Sequence, residues 1–196
     1  MERLLIMNMN RRGDKKKFKD FVAVIRKSPH SYYYIKSTLA KFKNEDIDIN
    51  TQVDMGRTLL HVAIKLKNIR LLNMFIKMGV NLNLANEMGN TPLHEAILMN
   101  RLDFVKALVN AGCDVNLGAE QEQTPLHFSV TQGNLDITKY LVEHGADILV
   151  LDEVNNSPID YAIDEQDIPI IKYFMHLQDF TDEQKAKIEA LERKEN

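Results

Sequence analysis

Three histidines recur at a fixed spacing in the sequence. His61, His94 and His127 are each 33 residues from the next, and the chain has one cysteine, Cys113. Imidazole and thiolate groups are common ligands of zinc, so this pattern could indicate a metal site. If each histidine lies in its own structural repeat, however, stacked repeats place the rings roughly 10 Å apart, which is too far for one ion with bonds of about 2 Å. The spacing therefore predicts structural repetition and no metal site.

The other reactive groups lack the neighbours that catalysis needs. The sequence has no glycine-rich phosphate loop, no GxSxG nucleophile elbow and no Cys/His spacing typical of a metal centre. Cys113 has no identified base partner, and it stands 33 residues before Ala146, which indicates a small buried residue. The carboxylates fall at predicted loop tips and on solvated helix faces. We expect no catalytic residues, no cofactor and no small-molecule substrate.

The period of 33 residues extends over most of the chain. It relates the residues that open each predicted first helix, which are Thr58, Thr91, Thr124 and Ser157. It also relates the glycines that close the predicted second helices, which are Gly79, Gly112 and Gly145. Self-similarity at this length is typical of repeat proteins, in which each unit is one supersecondary element and its neighbours complete the core.

The repeated strings resemble those of ankyrin repeats. They are TPLH at 91–94 and 124–127, TLLH at 58–61, SPID at 157–160, and the endings GVNLN, GCDVN and GADIL. The resemblance covers roughly residues 46–177. It implies an all-α ankyrin-repeat solenoid of stacked helix-turn-helix units with β-hairpin loops. It also implies that Thr91 and His94 tie the start of their helix to neighbouring backbone.

The period predicts how the chain divides. The predicted segments are a basic N-terminal segment (1–17), a degenerate capping repeat (18–50), four ankyrin repeats (51–83, 84–116, 117–149 and 150–177) and a charged C-terminal helix (178–196). Apolar residues with helical spacing from Phe18 to Ile25 predict a helix that ends before Pro29, followed by a second helix over about 32–43. In the first full repeat we expect helices over 58–66 and 68–77. Thr181 and Gln184 form a capping-box pattern before the last helix.

The third repeat departs from the others at its predicted hairpin tip. Glu122 stands where Gly56 and Gly89 stand in the preceding repeats, and Asn155 stands there in the fourth. A left-handed conformation costs a non-glycine residue roughly 1–2 kcal/mol, although asparagine tolerates it better than most. We therefore expect the tip at residues 120–123 either to have changed shape or to be strained, and we regard it as a candidate for local specialisation.

Charge is distributed unevenly along the chain. The whole sequence has a net charge of −3, but residues 1–50 carry +6, residues 51–149 carry −2 and residues 150–196 carry −7. The positive end contains a basic cluster, whose members are Arg11, Arg12, Lys15, Lys16, Lys17 and Lys19. The cluster is interpreted as a nuclear-localisation signal, a contact with acidic partners or the solvated start of a helix.

Cysteine content and hydropathy indicate the compartment. A single cysteine excludes an intrachain disulfide framework and is typical of a reducing environment. The apolar run at residues 4–7 is too short for a signal-peptide core, and no stretch approaches the roughly 20 apolar residues of a membrane span. We expect a protein of the cytoplasm or the nucleus that has no membrane partner.

The family resemblance also implies where a partner would bind. In ankyrin repeats, partners contact the hairpin tip before the threonine and the last turn of the first helix. The matching positions are Met55, Arg57, Lys65 and Leu66; Glu87, Met88, Asn90, Leu98 and Met99; Glu120, Gln121, Gln123, Thr131 and Gln132; and Glu153, Val154, Asn156, Asp164 and Glu165.

These positions differ in chemistry along the chain. The first two repeats contribute an apolar, methionine-rich set, which suits adaptable apolar contacts, although Leu66 and Leu98 could instead pack beneath neighbouring tips. The last two repeats contribute polar and acidic groups. Our hypothesis is that a partner places an apolar anchor on the first two repeats and a basic segment near Glu153, Asp164 and Glu165.

The resemblance implies a non-enzymatic protein-interaction module. Such a module acts as an adaptor, an inhibitor or a regulatory subunit of another intracellular protein, for instance a protein kinase or a transcription-factor complex, and no motif selects among these. The alternative is a binder of nucleic acid or another anionic surface through the basic N-terminus. Because the rest of the chain is acidic, we do not expect nucleic acid to be the partner.

Overall fold

The computed structural model describes residues 2–178 and 180–195, with only the backbone described for residues 2–12, 192, 194 and 195. The chain divides into two compact units, residues 1–92 and residues 93–196. Regular structure in the described residues is helical apart from one isolated antiparallel bridge between Val53 and Arg57. The prediction of an all-α fold built from helix pairs is confirmed. No described helix combines the length and the apolar character that crossing a membrane requires.

The first unit contains four helices. They are α1 (Glu2–Lys27), α2 (Tyr32–Asn44), α3 (Leu59–Lys65) and α4 (Ile69–Lys77). α1 begins well before Phe18 and crosses the predicted boundary between residues 17 and 18, so the basic segment and the start of the capping repeat share one helix. Phe18 and Phe21 of α1 pack against Phe42 of α2 with ring centroids 5.8 and 5.2 Å apart, respectively, and this aromatic cluster joins the two helices.

The other helices follow the period of the sequence. They are α5 (Pro92–Leu98), α6 (Leu102–Asn110), α7 (Pro125–Thr131), α8 (Leu135–Glu143), α9 (Pro158–Asp164), α10 (Ile168–Met175) and α11 (Asp182–Glu195). Three of the second helices in the repeats have the same side-chain cap. The caps are Asn68, Asn134 and Asp167, whose side-chain oxygens accept bonds of 2.8–3.0 Å from backbone N–H groups three residues later.

The C-terminal helix covers the core of the second unit. Ile188 of α11 is buried with Phe180 in a cluster that includes Ile159 and Phe174. The predicted capping box is present, since the Thr181 N–H donates to Gln184 Oε1 at 3.1 Å and the Gln184 N–H donates to Thr181 Oγ1 at 3.2 Å. The Gln184 amide also donates to Asp160 Oδ1 at 2.9 Å, which holds α11 against α9.

Each repeat begins with a hairpin tip that a backbone hydrogen bond closes. The donors are the N–H groups of Val53, Asn86, Ala119 and Asp152, and the acceptors are the carbonyls four residues later, at 2.8–3.0 Å. In the first and third repeats the two central residues of the tip both have positive φ angles. These are 60° and 69° at Met55 and Gly56, and 61° and 56° at Gln121 and Glu122.

The tip of the third repeat has therefore kept its shape, and Glu122 adopts the left-handed conformation that Gly56 adopts in the first. The sequence predicted that this tip would either change shape or be strained, and the positive φ angle of Glu122 shows that it is strained. Gly118 gives the tip its space, because a Cβ atom on Gly118 would lie 2.9 Å from Glu122 Oε2 and 3.0 Å from its Cα. The glycine that this tip lacks at residue 122 is present four residues earlier.

Glycine at residue 122 should relieve this strain. We expect Glu122→Gly to raise the free energy of unfolding by about 0.5–1 kcal/mol, because the left-handed penalty is removed and is partly offset by the greater freedom of glycine in the unfolded chain. Chemical denaturation followed by circular dichroism measures the change. Asn155→Gly is the matched control and should raise stability less, and a destabilised Glu122→Gly protein would contradict the assignment of strain.

Candidate functional site

The repeated histidines join each first helix to the next hairpin. The backbone N–H of Thr58 donates to Nδ1 of His61 at 3.2 Å, and Nε2 of the same ring lies 2.9 Å from the carbonyl oxygen of Asn90. His127 repeats this arrangement, with the Thr124 N–H at 3.1 Å from Nδ1 and the Asn156 carbonyl at 3.1 Å from Nε2. Nε2 of His94 lies 3.1 Å from the carbonyl oxygen of Gln123.

This geometry defines the protonation state of the rings. Because Nδ1 of His127 accepts a backbone N–H bond, its proton resides on Nε2, where it donates to the Asn156 carbonyl. Burial lowers the pKa of His127, against the opposing effect of the Asn156 carbonyl and of two nearby carboxylates. Burial also raises the pKa of the Cys113 thiol to about 12, so this side chain is not a thiolate at neutral pH.

A second network joins the tips of the third and fourth repeats. Asp152 is buried, and its carboxylate accepts bonds from the backbone N–H groups of Val154 and Asn156 and from the hydroxyl of Tyr161 at 2.8–3.0 Å. Burial raises the pKa of this carboxyl, but these hydrogen bonds outweigh it and leave the pKa below its usual range. The Gln123 side chain donates to the Tyr161 hydroxyl at 2.6 Å and completes the link between the two tips.

The sequence analysis missed this network, although a signal for it exists. Asn86 and Asp152 begin the tips of the second and fourth repeats, where the first and third have Val53 and Ala119. The Asn86 side chain accepts bonds from the N–H groups of Met88 and Asn90 at 2.9 and 3.1 Å, and Asp152 makes the equivalent bonds two repeats later. An Asn or Asp that bonds its own backbone two residues on is a known turn former.

Neighbouring tips within each unit are bonded to one another. The Glu87 N–H donates to the Met55 carbonyl at 3.0 Å, and the Glu153 N–H donates to the Gln121 carbonyl at 3.0 Å. Gly56 permits the first of these contacts, because a Cβ atom at that position would lie 2.8 Å from Glu87 N. Each pair of tips is therefore a fixed surface rather than two independent loops.

The first unit displays two methionines and a pocket on this surface. Met55 and Met88 expose 48% and 54% of their area at the two bonded tips. The Arg57 guanidinium lies 3.2 Å from the Met55 sulfur, and Arg57 also lines a pocket of about 320 Å³. The pocket is lined by Arg26, Arg57, Val62, Lys65 and Leu66. We call the two methionines and these five residues the first tip surface.

The second unit presents a polar and acidic counterpart. A groove of about 580 Å³ lies between the ends of α7 and α9, with Thr131, Gln132, Glu165 and Asp167 among its lining residues. Leu98 is exposed and Met99 is half-buried at the end of α5. The remaining exposed residues of the predicted set in this unit are Glu120, Gln121, Glu153, Val154 and Asp164, and Asn156 is half-buried.

Two of the predicted contact residues point inward. Asn90 is only 5% exposed, and its backbone N–H and carbonyl bond to the Asn86 side chain and to His61, so it offers little surface to a partner. Gln123 is half-buried and directs its amide to Tyr161. In both residues the backbone carbonyl also accepts the histidine bond.

Intramolecular ion pairs occupy part of the predicted basic cluster. Lys17 pairs with Glu45 at 3.0 Å, and Lys19 and Arg26 both pair with Asp54, at 3.4 and 3.2 Å. The hydrogen bonds from Arg26 and Lys19 lower the pKa of Asp54. Lys15 and Lys16 are exposed, whereas the side chains of Arg11 and Arg12 lie outside the described residues.

Net charge differs more between the two units than among residues 1–50, 51–149 and 150–196. Residues 1–92 carry 17 Lys/Arg and 8 Asp/Glu, a net charge of +9. Residues 93–196 carry 8 and 20, a net charge of −12. The first unit is therefore suited to acidic partners and the second to basic ones.

Comparison with protein families agrees with the repeated architecture. A model described as ankyrin repeats in three copies matches residues 30–119, and a second described as ankyrin repeats in many copies matches residues 108–162. Together the two matches span residues 30–162. A search of curated proteins finds no match.

The buried imidazole of His127 should make stability depend on pH. The lowered pKa means that, below the ordinary value of about 6.5, the unfolded chain binds a proton that the folded protein does not, so stability is complete above this pH and falls as the pH is lowered. We expect the free energy of unfolding to decrease between pH 7.5 and 5.5, as measured by urea denaturation.

Substitution separates this effect from that of other titrating groups. His127→Gln should cost about 1–3 kcal/mol at pH 7.5, because two buried bonds are disturbed, and should flatten the pH dependence. His176→Gln, at an exposed position, is the control and should retain the slope of the wild type. An unchanged slope in His127→Gln would show that other groups cause the pH effect.

Proposed function

The chain belongs to the ankyrin-repeat family, whose repeats are protein-interaction modules, and from this premise we propose that it is a non-enzymatic binding protein. It would act as an adaptor, an inhibitor or a regulatory subunit of an intracellular protein in the cytoplasm or nucleus. The family resemblance suggests protein kinases and transcription-factor complexes as partner classes.

One observation carries the proposal. Met55 and Met88 are exposed on tips that a backbone hydrogen bond fixes side by side, and Arg57 connects them to a pocket with apolar and cationic walls. Exposed methionines adapt to differently shaped apolar groups, and rigid backbone beneath them reduces the entropy that binding must overcome. The first tip surface therefore suits an apolar anchor residue with acidic neighbours, which Arg57 and Lys65 would contact.

The second unit suits a partner segment of the opposite charge. Glu153, Asp164 and Glu165 are exposed, and Glu165 lines the groove between α7 and α9. These carboxylates support the proposal that a basic segment binds there. Exposed ion pairs contribute little affinity individually, so we assign these groups to partner selection and association rate, and assign the binding energy to the methionine surface.

The second candidate is binding of nucleic acid or another anionic surface. The net charge of +9 on residues 1–92 favours it, and the engagement of Lys17 and Lys19 in ion pairs weakens it. Because phosphate contacts are strongly salt-dependent, retention on heparin above about 0.2 M salt would support this candidate, and elution below that concentration would leave protein binding as the function.

The proposed interaction is tested by charge insertion on the first tip surface. A partner is first isolated from the native cell with the tagged wild-type chain, purified and measured by isothermal titration calorimetry. We expect Met55→Asp with Met88→Asp to weaken this affinity at least about tenfold, since two carboxylates would be desolvated in an apolar contact.

A matched pair of substitutions controls for charge and folding. Met175→Asp with Leu177→Asp adds the same two charges at exposed apolar positions at the end of α10 and should leave the affinity within about twofold. Unfolding curves verify that both variants are folded. Equal affinities of the wild type and the Met55/Met88 variant would place the binding site elsewhere.

A further inference from the structure

A cationic groove lies between α2 and α4, on residues that the first tip surface does not include. Its volume is about 480 Å³, and its walls are Lys36, Arg70, Asn73, Met74, Lys77 and Met78. We propose that this groove is a second docking site, and that its occupant is an acidic segment of a partner polypeptide carrying an apolar side chain.

No ion pair among the described residues neutralises the three cations of the groove. Among the described residues, the ion pairs of the first unit involve Lys17, Lys19 and Arg26, and none involves Lys36, Arg70 or Lys77. Both walls are positive, with Lys36 on α2 and the other two cations on α4, and no carboxylate lines the groove. The groove therefore offers positive charge on both sides to an anionic segment.

The spacing of the charges fits a regular polypeptide. Arg70 and Lys77 are seven residues apart on α4, which corresponds to two helical turns or about 10.5 Å. Carboxylates seven residues apart on a partner helix lying along α4 have the same separation, and so do residues three apart in an extended strand, at about 10 Å. The planar guanidinium of Arg70 can bind one of these carboxylates through two parallel hydrogen bonds.

The apolar part of the groove favours polypeptide over nucleic acid. Met74 and Met78 are half-buried between the cations and offer an adaptable surface to an aliphatic side chain. Single-stranded nucleic acids are held largely by stacking on aromatic rings, and no aromatic residue lines this groove. Duplex binding requires the neutralisation of many phosphates by many cations, whereas three are present.

The test uses the chain of 196 residues and a fluorescein-labelled peptide built from repeats of Glu-Glu-Leu-Glu. Fluorescence anisotropy measures the affinity of the wild type and of a triple variant, Lys36→Gln, Arg70→Gln and Lys77→Gln. We expect the triple variant to bind at least about tenfold more weakly. We also expect a peptide with serine in place of each leucine to bind the wild type more weakly, since it cannot contact Met74 and Met78.

A second triple variant separates the groove from the general positive charge of the unit. Lys15→Gln, Lys16→Gln and Lys27→Gln remove the same three charges from exposed positions of α1 and should weaken binding by less than about threefold. Equal losses in the two triple variants would show diffuse attraction to the whole unit and would overturn the proposal.

Two further measurements identify the occupant and the surface. The Met55→Asp, Met88→Asp variant should lose less affinity for the peptide than the groove variant, because the first tip surface also suits an apolar residue with acidic neighbours, and a loss as large as that of the groove variant would move the site to the first tip surface. A labelled single-stranded DNA should bind more weakly than the peptide. Tighter DNA binding that depends on Lys36, Arg70 and Lys77 would assign the groove to nucleic acid and overturn the polypeptide class.

Discussion

The bond from a buried histidine to the carbonyl of the next hairpin is the interaction on which the repeat structure depends. A repeat of two short helices cannot bury its own apolar face, so neighbouring repeats must meet in one register. The imidazoles of His61 and His127 set that register, because one ring nitrogen accepts the N–H that begins its own helix and the other donates to the following hairpin. The carbonyl they reach is removed from water, and leaving it unbonded would cost about 1–3 kcal/mol. The tips of the second, third and fourth repeats are thereby fixed from beneath.

With the bases of these three tips fixed in this way, their exposed residues are free to vary, and two further kinds of hydrogen bond stabilise the four tips. The side chains of Asn86 and Asp152 accept bonds from backbone N–H groups of their own tips. In the tips of the first and third repeats, Met55 and Gln121 also have positive φ angles, and their carbonyls accept an N–H bond from the next tip. Each unit therefore contains one tip stabilised by its own Asn or Asp side chain, bonded to one tip that has the second positive φ angle. Methionine at 55 and 88 is required by neither kind of bond, because the backbone bonds do not involve the side chains. The backbone bonds therefore leave both methionine side chains exposed, as the proposed contact surface requires.

The features that depend on the 33-residue period could be predicted from the sequence. The features that depend on contacts between residues far apart in the chain could not. The helix pairs, the threonine and histidine positions and the capping box at Thr181 follow from spacing within one repeat. The strain at Glu122 could be identified only as one of two outcomes, since the room that Gly118 provides is a matter of packing. Asn90 occupies a contact position by analogy, yet it is buried, and burial depends on packing that the sequence pattern does not show. The groove between α2 and α4 brings Lys36 close to residues more than 30 positions away, and no local pattern indicates it. Which surface residues bind a partner stays a prediction.

Stability does not explain the separation of charge between the two units. A net charge of +9 in one and −12 in the other means that like charges repel within each, and the ion pairs that offset this repulsion are at exposed positions, where a pair contributes about 0–1 kcal/mol. A fold stabilised mainly by apolar burial and by the histidine bonds would tolerate a mixture of charges equally well. Charge of one sign over a whole unit does, however, accelerate encounters with an oppositely charged partner and exclude a like-charged one. In the proposed interaction, apolar contacts at Met55 and Met88 would supply the affinity, and the surrounding charge would determine which chains reach them.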